Sequence, residues 1–429
     1  MGDVVLTKKN NTNKEIKEVQ KQQQSFEDEF YELMFQMGLY NKFNNTYNLN
    51  IKNVTNYGYY AHLYLETGLS FQSILENKTT IQENLRCLWI MRTKQFSKYA
   101  TVDIVINPLD EEMDYEVPKI KPWEMYMGLK FSLKTITNDN NDKCMFLISG
   151  ATGSGKTRFI YMILLSWILS CEIYQVELYI SDIAKNEYIN FQYVQHVKLY
   201  ASELHELLEM ARVVKKKMKS RKNLLSKYRE MGLATNIYDY NKISGVKKLP
   251  YCYMLIDEFS AIIPDSSDSK NEIEMKQEIL DAVKDLSKMG RSLGIFLIVA
   301  TQKTTRDEMP SVIKNMSKIR ISFCANDSVS SEVIIGDKSA CGLGDRIAVY
   351  SQNGGSDKDY LFSPKITMKR LNELLQPHIK HSKSNTNSNP RNNSNYANIE
   401  KVKCIPIKTE HRINDLSQFS RKGDEFIDY

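Results

Sequence analysis

Residues 148–167 read ISGATGSGKTRFIYMILLSW: three glycines, four small hydroxyl residues and a lysine set between two apolar runs. Glycine loses more chain entropy on folding than any other residue, so a cluster of them marks a turn with a special backbone requirement. Within the stretch, residues 150–157 (GATGSGKT) satisfy G-x-x-x-x-G-K-[ST] at every fixed position, after a strand-like CMFLIS and before a helical apolar run. Backbone N–H groups at Gly150, Ala151, Thr152, Gly153, Ser154 and Gly155 can then curl around a phosphate that a Cβ at Gly153 or Gly155 would obstruct. The helix N-terminus beginning near Lys156, Thr157 and Arg158 adds partial positive charge. Lys156 is placed for the β and γ oxygens and the Thr157 hydroxyl for Mg²⁺. The expected ligand is a nucleoside triphosphate with its metal.

A nucleotide hydrolase also needs an acid beside the metal and a group that polarises water. YCYMLIDEFS, residues 251–260, is an apolar run ending in Asp257 and Glu258. Asp257 is the expected second metal residue and Glu258 the expected base. An Asp-Glu pair favours ATP turnover over a GTP switch. IFLIVATQ ends a further apolar strand at Gln302, whose amide is placed to sense a γ-phosphate. ATP and Mg²⁺ are the expected cofactors.

From Cys144 onward, apolar strand-like runs alternate with helical runs: CMFLIS, the helix containing Phe159, VELYIS, a helix over 202–231, YCYMLID, a helix over 271–293 and IFLIVAT. Such alternation predicts an α/β fold with a parallel sheet covered on both faces. Upstream, TNYGYYAHLYLETG and KYATVDIVINP read as strands, and FQSILENKTTIQENLRCLWIM recurs at helical spacing. The expected organisation is a flexible segment 1–25, a small α+β domain 26–115, an ATPase domain 116–379 and a low-complexity polar tail 380–429 containing KHSKSNTNSNPRNNSNY.

The chain has 429 residues, 42% hydrophobic and 26% charged, as expected of a soluble protein, and its net charge of +6 permits a nucleic-acid partner without requiring one. Seven scattered cysteines without a CxxC pair argue against a zinc site and against a secreted disulfide scaffold. No signal peptide or membrane anchor is read, because the apolar run 159–173 is short and carries Ser166 and Ser170. A cytoplasmic protein, recruited to the inner face of a membrane by partners, is the expectation. The basic run over 215–222 reads as a solvated helix face or as a surface for DNA or acidic partners.

GATGSGKT, LIDEF, KMGRSLGI, LIVATQ, VIKNMSKIRISF and IIGDKSACGLGDRIAVY, in this order across about residues 120–365, resemble the motor of the FtsK/SpoIIIE family of DNA translocases. GRSLG is similar to a segment of the TcpA-like conjugation ATPases within it. Residues 26–110 resemble the small domain that precedes that motor. The resemblance implies a RecA-like motor forming a homo-oligomeric, hexameric ring on double-stranded DNA, with ATP held between neighbours. By the same resemblance Arg291 is an arginine finger acting on the adjoining subunit, with Arg320 the second choice. Lys303 and Lys314 match basic, DNA-contacting positions of the first pore loop. Two features depart from the family. The second pore loop is NDSVSSEV, with Ser328 and Glu332 where basic residues are usual, and the tail does not resemble a winged-helix module. The implied task is ATP-driven pumping of DNA for a conjugative or mobilizable element, with relaxase and membrane transfer-pore proteins as partners. A type VII secretion-like export ATPase and an ATP-binding assembly scaffold are the alternatives.

Overall fold

In the computed structural model, residues 13–380 are described apart from 56, 94–96, 107–115, 132, 142, 144, 303–308 and 355–357. The first part is built from helix α1 (Asn13–Gln36), strands β1 (Asn48–Thr55) and β2 (Gly58–Tyr64), helices α2 (Phe71–Glu76) and α3 (Lys78–Leu85), and strands β3 (Leu88–Arg92) and β4 (Tyr99–Val105). The strands form an antiparallel sheet in the order β1-β2-β4-β3. Phe30 and Met34 of α1 are buried with Ile74, Ile81, Trp89 and Val102, and the Phe30 and Trp89 rings stack at 5.3 Å.

Two local readings differ from the sequence expectation. Helix α1 starts at Asn13, inside the segment 1–25 expected to be flexible; residues 1–12 lie outside the described residues. Its Glu, Lys and Gln residues are good helix formers, and the apolar stripe from Phe26 onward supplies the packing that composition alone did not show. The stretch 71–91, read at helical spacing, is two short helices and a strand. Arg86 adopts φ +50° and ends α3, after which Leu88–Arg92 pairs along β4. Pairing across the sheet outweighs local periodicity there.

The second part contains β5 (Glu124–Leu129), β6 (Thr135–Asp139), β7 (Met145–Ser149), α4 (Lys156–Ser170), β8 (Val176–Ser181), β9 (Val197–Ala201), α5 (Leu204–Glu230), α6 (Ile237–Lys242), β10 (Tyr251–Ile256), α7 (Lys270–Met289), β11 (Ile295–Thr301), α8 (Ser311–Met316), β12 (Ile319–Phe323), α9 (Ser328–Ile335), β13 (Ile347–Ser351), β14 (Lys358–Phe362) and α10 (Met368–Leu375). One ten-stranded sheet runs β6-β5-β14-β13-β12-β7-β11-β10-β8-β9. Strands β12, β7, β11, β10, β8 and β9 are mutually parallel, while β13, β14, β5 and β6 extend the sheet antiparallel.

Successive strand residues face opposite layers. Phe146 and Ile148 of β7 pack with α4, whereas Met145 and Leu147 join the layer formed with α5 and α7. Residues 159–168 of α4 are all buried, and Trp167 stacks on Tyr253 at 3.7 Å. Among the described residues no helix is long and apolar enough to cross a membrane.

Much of the basic run 215–222 is engaged within the fold. Lys215 pairs with Asp285 of α7 at 2.8 Å and Lys217 pairs with Glu177 of β8. Buried Arg221 donates to the carbonyls of Leu293, Gly294 and Pro250 at 2.6–3.1 Å. Lys216, Lys219 and Lys222 face solvent. The residues beyond 380, including the polar tail, lie outside the described residues.

Candidate active site

Between β7 and α4 the chain makes the glycine turn. A Cβ on Gly150 would sit 2.6 Å from Ser154 Oγ and 2.7 Å from Phe323 Cβ. Gly153 and Gly155 have φ +83° and +102°, where L side chains are strained. The Ala151 N–H donates to the Cys324 carbonyl at 2.9 Å, and Ser154 Oγ donates to the Ala151 carbonyl at 2.7 Å. The loop is therefore pinned to the end of β12 and folded onto itself. Ala151, Thr152, Gly153, Gly155, Lys156, Thr157 and Arg158 line a cavity of about 520 Å³, with Gly150 and Ser154 behind them.

Strand β11 lies between β7 and β10, so residues leaving all three strands converge at one edge, the carboxyl ends of the parallel strands. Lys156 Nζ donates to Asp257 Oδ1 at 2.8 Å, with both side chains 2% exposed. Burial pushes the Asp257 carboxyl above its ordinary range, and the facing Lys156 ammonium opposes that shift. Glu258 has φ +55°, a costly conformation for a residue with a Cβ. Its carboxylate accepts from the Thr301 hydroxyl at 3.0 Å, the Gln302 N–H at 3.1 Å and the Ser260 hydroxyl at 2.7 Å. The Gln302 amide oxygen accepts from the Thr152 hydroxyl at 3.0 Å and from Lys185.

The structure thus brings together the loop, Lys156, Thr157, Asp257, Glu258 and Gln302. Their chemistry fits a triphosphate: backbone donors, a helix N-terminus and an ammonium face one cavity. It also fits Mg²⁺, which is commonly held by one or two carboxylates together with substrate phosphates. No group of three His, Cys, Asp or Glu residues placed to hold a metal occurs among the described residues, so phosphate oxygens would supply much of the coordination.

The remaining candidates lie elsewhere. Arg291 is exposed in a 3-10 turn (Arg291–Leu293) leading into the first residue of β11. The phosphate loop leaves the opposite end of the sheet, and the seven residues of β11 correspond to about 20 Å of extended chain. Arg320, the second choice for a finger, is corrected by the structure. It is 6% exposed, and its guanidinium is committed to the carbonyls of Lys314, Ser317 and Ile334 at 2.8–3.1 Å. A side chain holding three backbone carbonyls inside the fold cannot reach a neighbour's phosphate. Lys314 is half-buried on α8; Lys303 lies outside the described residues. Ser328 and Glu332 lie on α9, with Glu332 exposed.

Two site residues were not anticipated. Glu187 Oε2 accepts from the Thr157 hydroxyl at 2.5 Å. Arg346, with φ +61° and 5% exposure, donates its N–H to the Ser154 carbonyl at 3.1 Å and backs onto Gly155. Glu187 follows Asp182 in SDIAKNEY, an acid-bearing turn after a buried strand, and that placement is the signal that could have found it. Arg346 follows a Gly-Asp turn with no spacing that marks it.

A RecA-like sheet, with the glycine turn after one strand and the Asp-Glu pair two strands away, defines a P-loop ATPase fold. Residues 121–306 match the model of the FtsK/SpoIIIE family. The DNA translocase FtsK of Staphylococcus aureus (strain Mu50) is 24% identical over 295 residues, covering 66% of this chain and 36% of the relative. That of Borreliella burgdorferi is 27% identical over 265 residues, covering 60% and 31%. The chain spans about a third of the length of these relatives. Among solved structures, the pCW3 conjugation coupling protein TcpA, a monomer form with ATPγS, superposes with TM-score 0.57 at 17% identity over 82% of this chain and 99% of that one. EssC ATPases 2 and 3 from Geobacillus thermodenitrificans give TM-score 0.51 at 18% identity over 63% and 51%. At such identities these two likenesses establish the fold.

Proposed function

We propose that the chain is an ATP-driven motor that moves double-stranded DNA, serving as a coupling protein for transfer of a conjugative or mobilizable element. The observation that carries this reading is the cluster at the carboxyl ends of the parallel strands, where Lys156 pairs with Asp257 and Gln302 meets both Thr152 and Glu258, while Arg291 stands at the far end of the sheet. Lys156 would neutralise charge on the β and γ oxygens. Thr157 and Asp257 would hold Mg²⁺, which would supply further positive charge to the phosphates. Glu258 polarises the attacking water, and Gln302 reports the γ-phosphate through β11. Arg291 supplies a fixed, permanently charged fork to the neighbouring subunit's site, so cleavage depends on assembly.

In this reading the ring is a hexamer of this chain in the cytoplasm, recruited to a membrane by transfer-pore and relaxase partners. Lys303 and Lys314 touch DNA phosphates without reading sequence. Support comes from the FtsK/SpoIIIE domain match together with the fold likeness to a conjugation coupling protein. The test compares ATP hydrolysis with and without duplex DNA in wild type and in Glu258→Gln. Stimulation by DNA in the first, with nucleotide binding but about 10²–10⁴-fold slower turnover in the second, is expected. Equal rates with and without DNA in a preparation shown to be a ring would overturn the pump. Retained transfer in Glu258→Gln would favour a scaffold.

A further inference from the structure

The turn after β8 is built to deliver one side chain. Asp182, 1% exposed, gives its own N–H to the Ala201 carbonyl at 2.8 Å. Its carboxylate accepts from the N–H groups of Glu187 at 3.0 Å and Tyr188 at 2.7 Å, and from the Tyr200 hydroxyl at 2.5 Å. The segment 182–188 is thereby closed on its first residue. The Glu187 carbonyl accepts from the Tyr161 hydroxyl of α4, which holds the turn against the helix that begins at Lys156. The Tyr188 hydroxyl reaches Asp257 Oδ1 at 3.4 Å, and Lys185 reaches Gln302. A turn fastened at so many points has little freedom to aim Glu187 elsewhere, and Glu187 aims at the Thr157 hydroxyl.

A threonine hydroxyl has one proton and two lone pairs. When the proton is given to a fixed carboxylate, the lone pairs are turned away from that carboxylate. Asp257, the acid after β10, is already committed to Lys156. The acceptor that orients Thr157 therefore comes from the turn after β8.

We propose that Glu187 is a positioning residue for magnesium: by accepting the Thr157 O–H hydrogen bond it holds that hydroxyl's lone pairs toward the nucleotide cavity, ready for the metal. The inference rests on the nucleotide-site reading above and assigns Glu187 a task within it. Acceptors behind a metal ligand commonly matter 10–100-fold in metal affinity. Mg²⁺ demands near-ideal octahedral geometry, so a ligand free to rotate is a poorer one.

The experiment titrates Mg²⁺ into the full chain with a fluorescent ATPγS analogue, and repeats the nucleotide titration in EDTA. Glu187→Leu should raise the Mg²⁺ midpoint about 10-fold or more, whatever change the lost charge makes to nucleotide affinity in EDTA. Glu187→Gln keeps a neutral acceptor and should shift the midpoint by about threefold at most. On a Thr157→Ala background, Glu187→Leu should add nothing, because the residue acts through that hydroxyl. An unchanged Mg²⁺ midpoint in Glu187→Leu, or an additive effect on Thr157→Ala, overturns the proposal. Tighter nucleotide binding in EDTA with no weakening of the Mg²⁺ midpoint would instead make Glu187 a latch on the empty site, which also overturns it. Failure of the wild type to bind the analogue at all removes the nucleotide reading itself, a separate outcome.

Discussion

Asp257→Asn removes one half of an ion pair that is almost wholly out of water. Lys156 Nζ and Asp257 Oδ1 are 2.8 Å apart, with both side chains 2% exposed. At that separation and an effective dielectric of about 20, attraction between unit charges is roughly 6 kcal/mol. Desolvation offsets part of this, which is why burial drives the Asp257 carboxyl upward despite its partner. Taking away only the carboxylate leaves an uncompensated buried ammonium, at a cost of about 3–5 kcal/mol. For a chain of this size that corresponds to a melting shift of roughly 3–6 °C. Lys156→Met alone should also destabilise, because it strands the carboxylate. The double variant, lacking both charges, should melt above Asp257→Asn, with a coupling of about 2 kcal/mol or more. ATP without Mg²⁺ should stabilise Asp257→Asn more than wild type, since phosphate replaces the missing anion beside Lys156. Calorimetric melts of the four proteins, with and without nucleotide, make the comparison. Simple additivity of the two single losses would refute the claim that the pair is buried and mutually dependent.

Other substitutions probe other parts of the fold. Gly150→Ala places a methyl 2.6 Å from Ser154 Oγ and 2.7 Å from Phe323 Cβ. It should cost about 1–3 kcal/mol and weaken nucleotide binding, read by melting and by titration of the ATPγS analogue. Arg221→Met strands the carbonyls of Pro250, Leu293 and Gly294 and should destabilise by about 3 kcal/mol in urea unfolding. His196, buried with Nε2 2.8 Å from the Cys171 carbonyl, is held below its ordinary value of 6.5, chiefly by burial and secondarily by the nearby His378 and Lys198 charges. Unfolded chains then bind the extra proton more readily. Its contribution is fully present above pH 6.5 and lost as pH falls through the folded value, so wild type should lose more of its melting midpoint than His196→Gln between pH 7.5 and 5.5.

The phosphate loop, the acid strand and the alternation of strands and helices were legible because each is local: glycines, lysine and apolar runs carry their own signature. The order β12-β7-β11-β10 was not legible from periodicity, yet it sets Gln302 between the loop and Asp257. Glu187 and Arg346 escaped for the same reason, since each meets the loop only through the sheet's folding. Arg320 misled in the other direction. The resemblance made it the second choice for a finger, but the carbonyls of Lys314, Ser317 and Ile334 absorb its guanidinium. The basic run on α5 is a similar case, with Lys215 and Lys217 tied to acids and Arg221 to carbonyls that only the folded chain brings near.

Arg291 stands an entire strand's length from its own phosphate loop, so its proposed task requires a second copy. The direct measurement mixes two defective proteins, Lys156→Ala and Arg291→Ala, and follows ATP hydrolysis on duplex DNA. Each alone should be inactive, and the mixture should recover a substantial fraction of wild-type turnover, because some boundaries then join an intact loop to an intact guanidinium. Full activity of Arg291→Ala alone, or no recovery on mixing where mixed assemblies are shown to form, would contradict completion of the site across subunits.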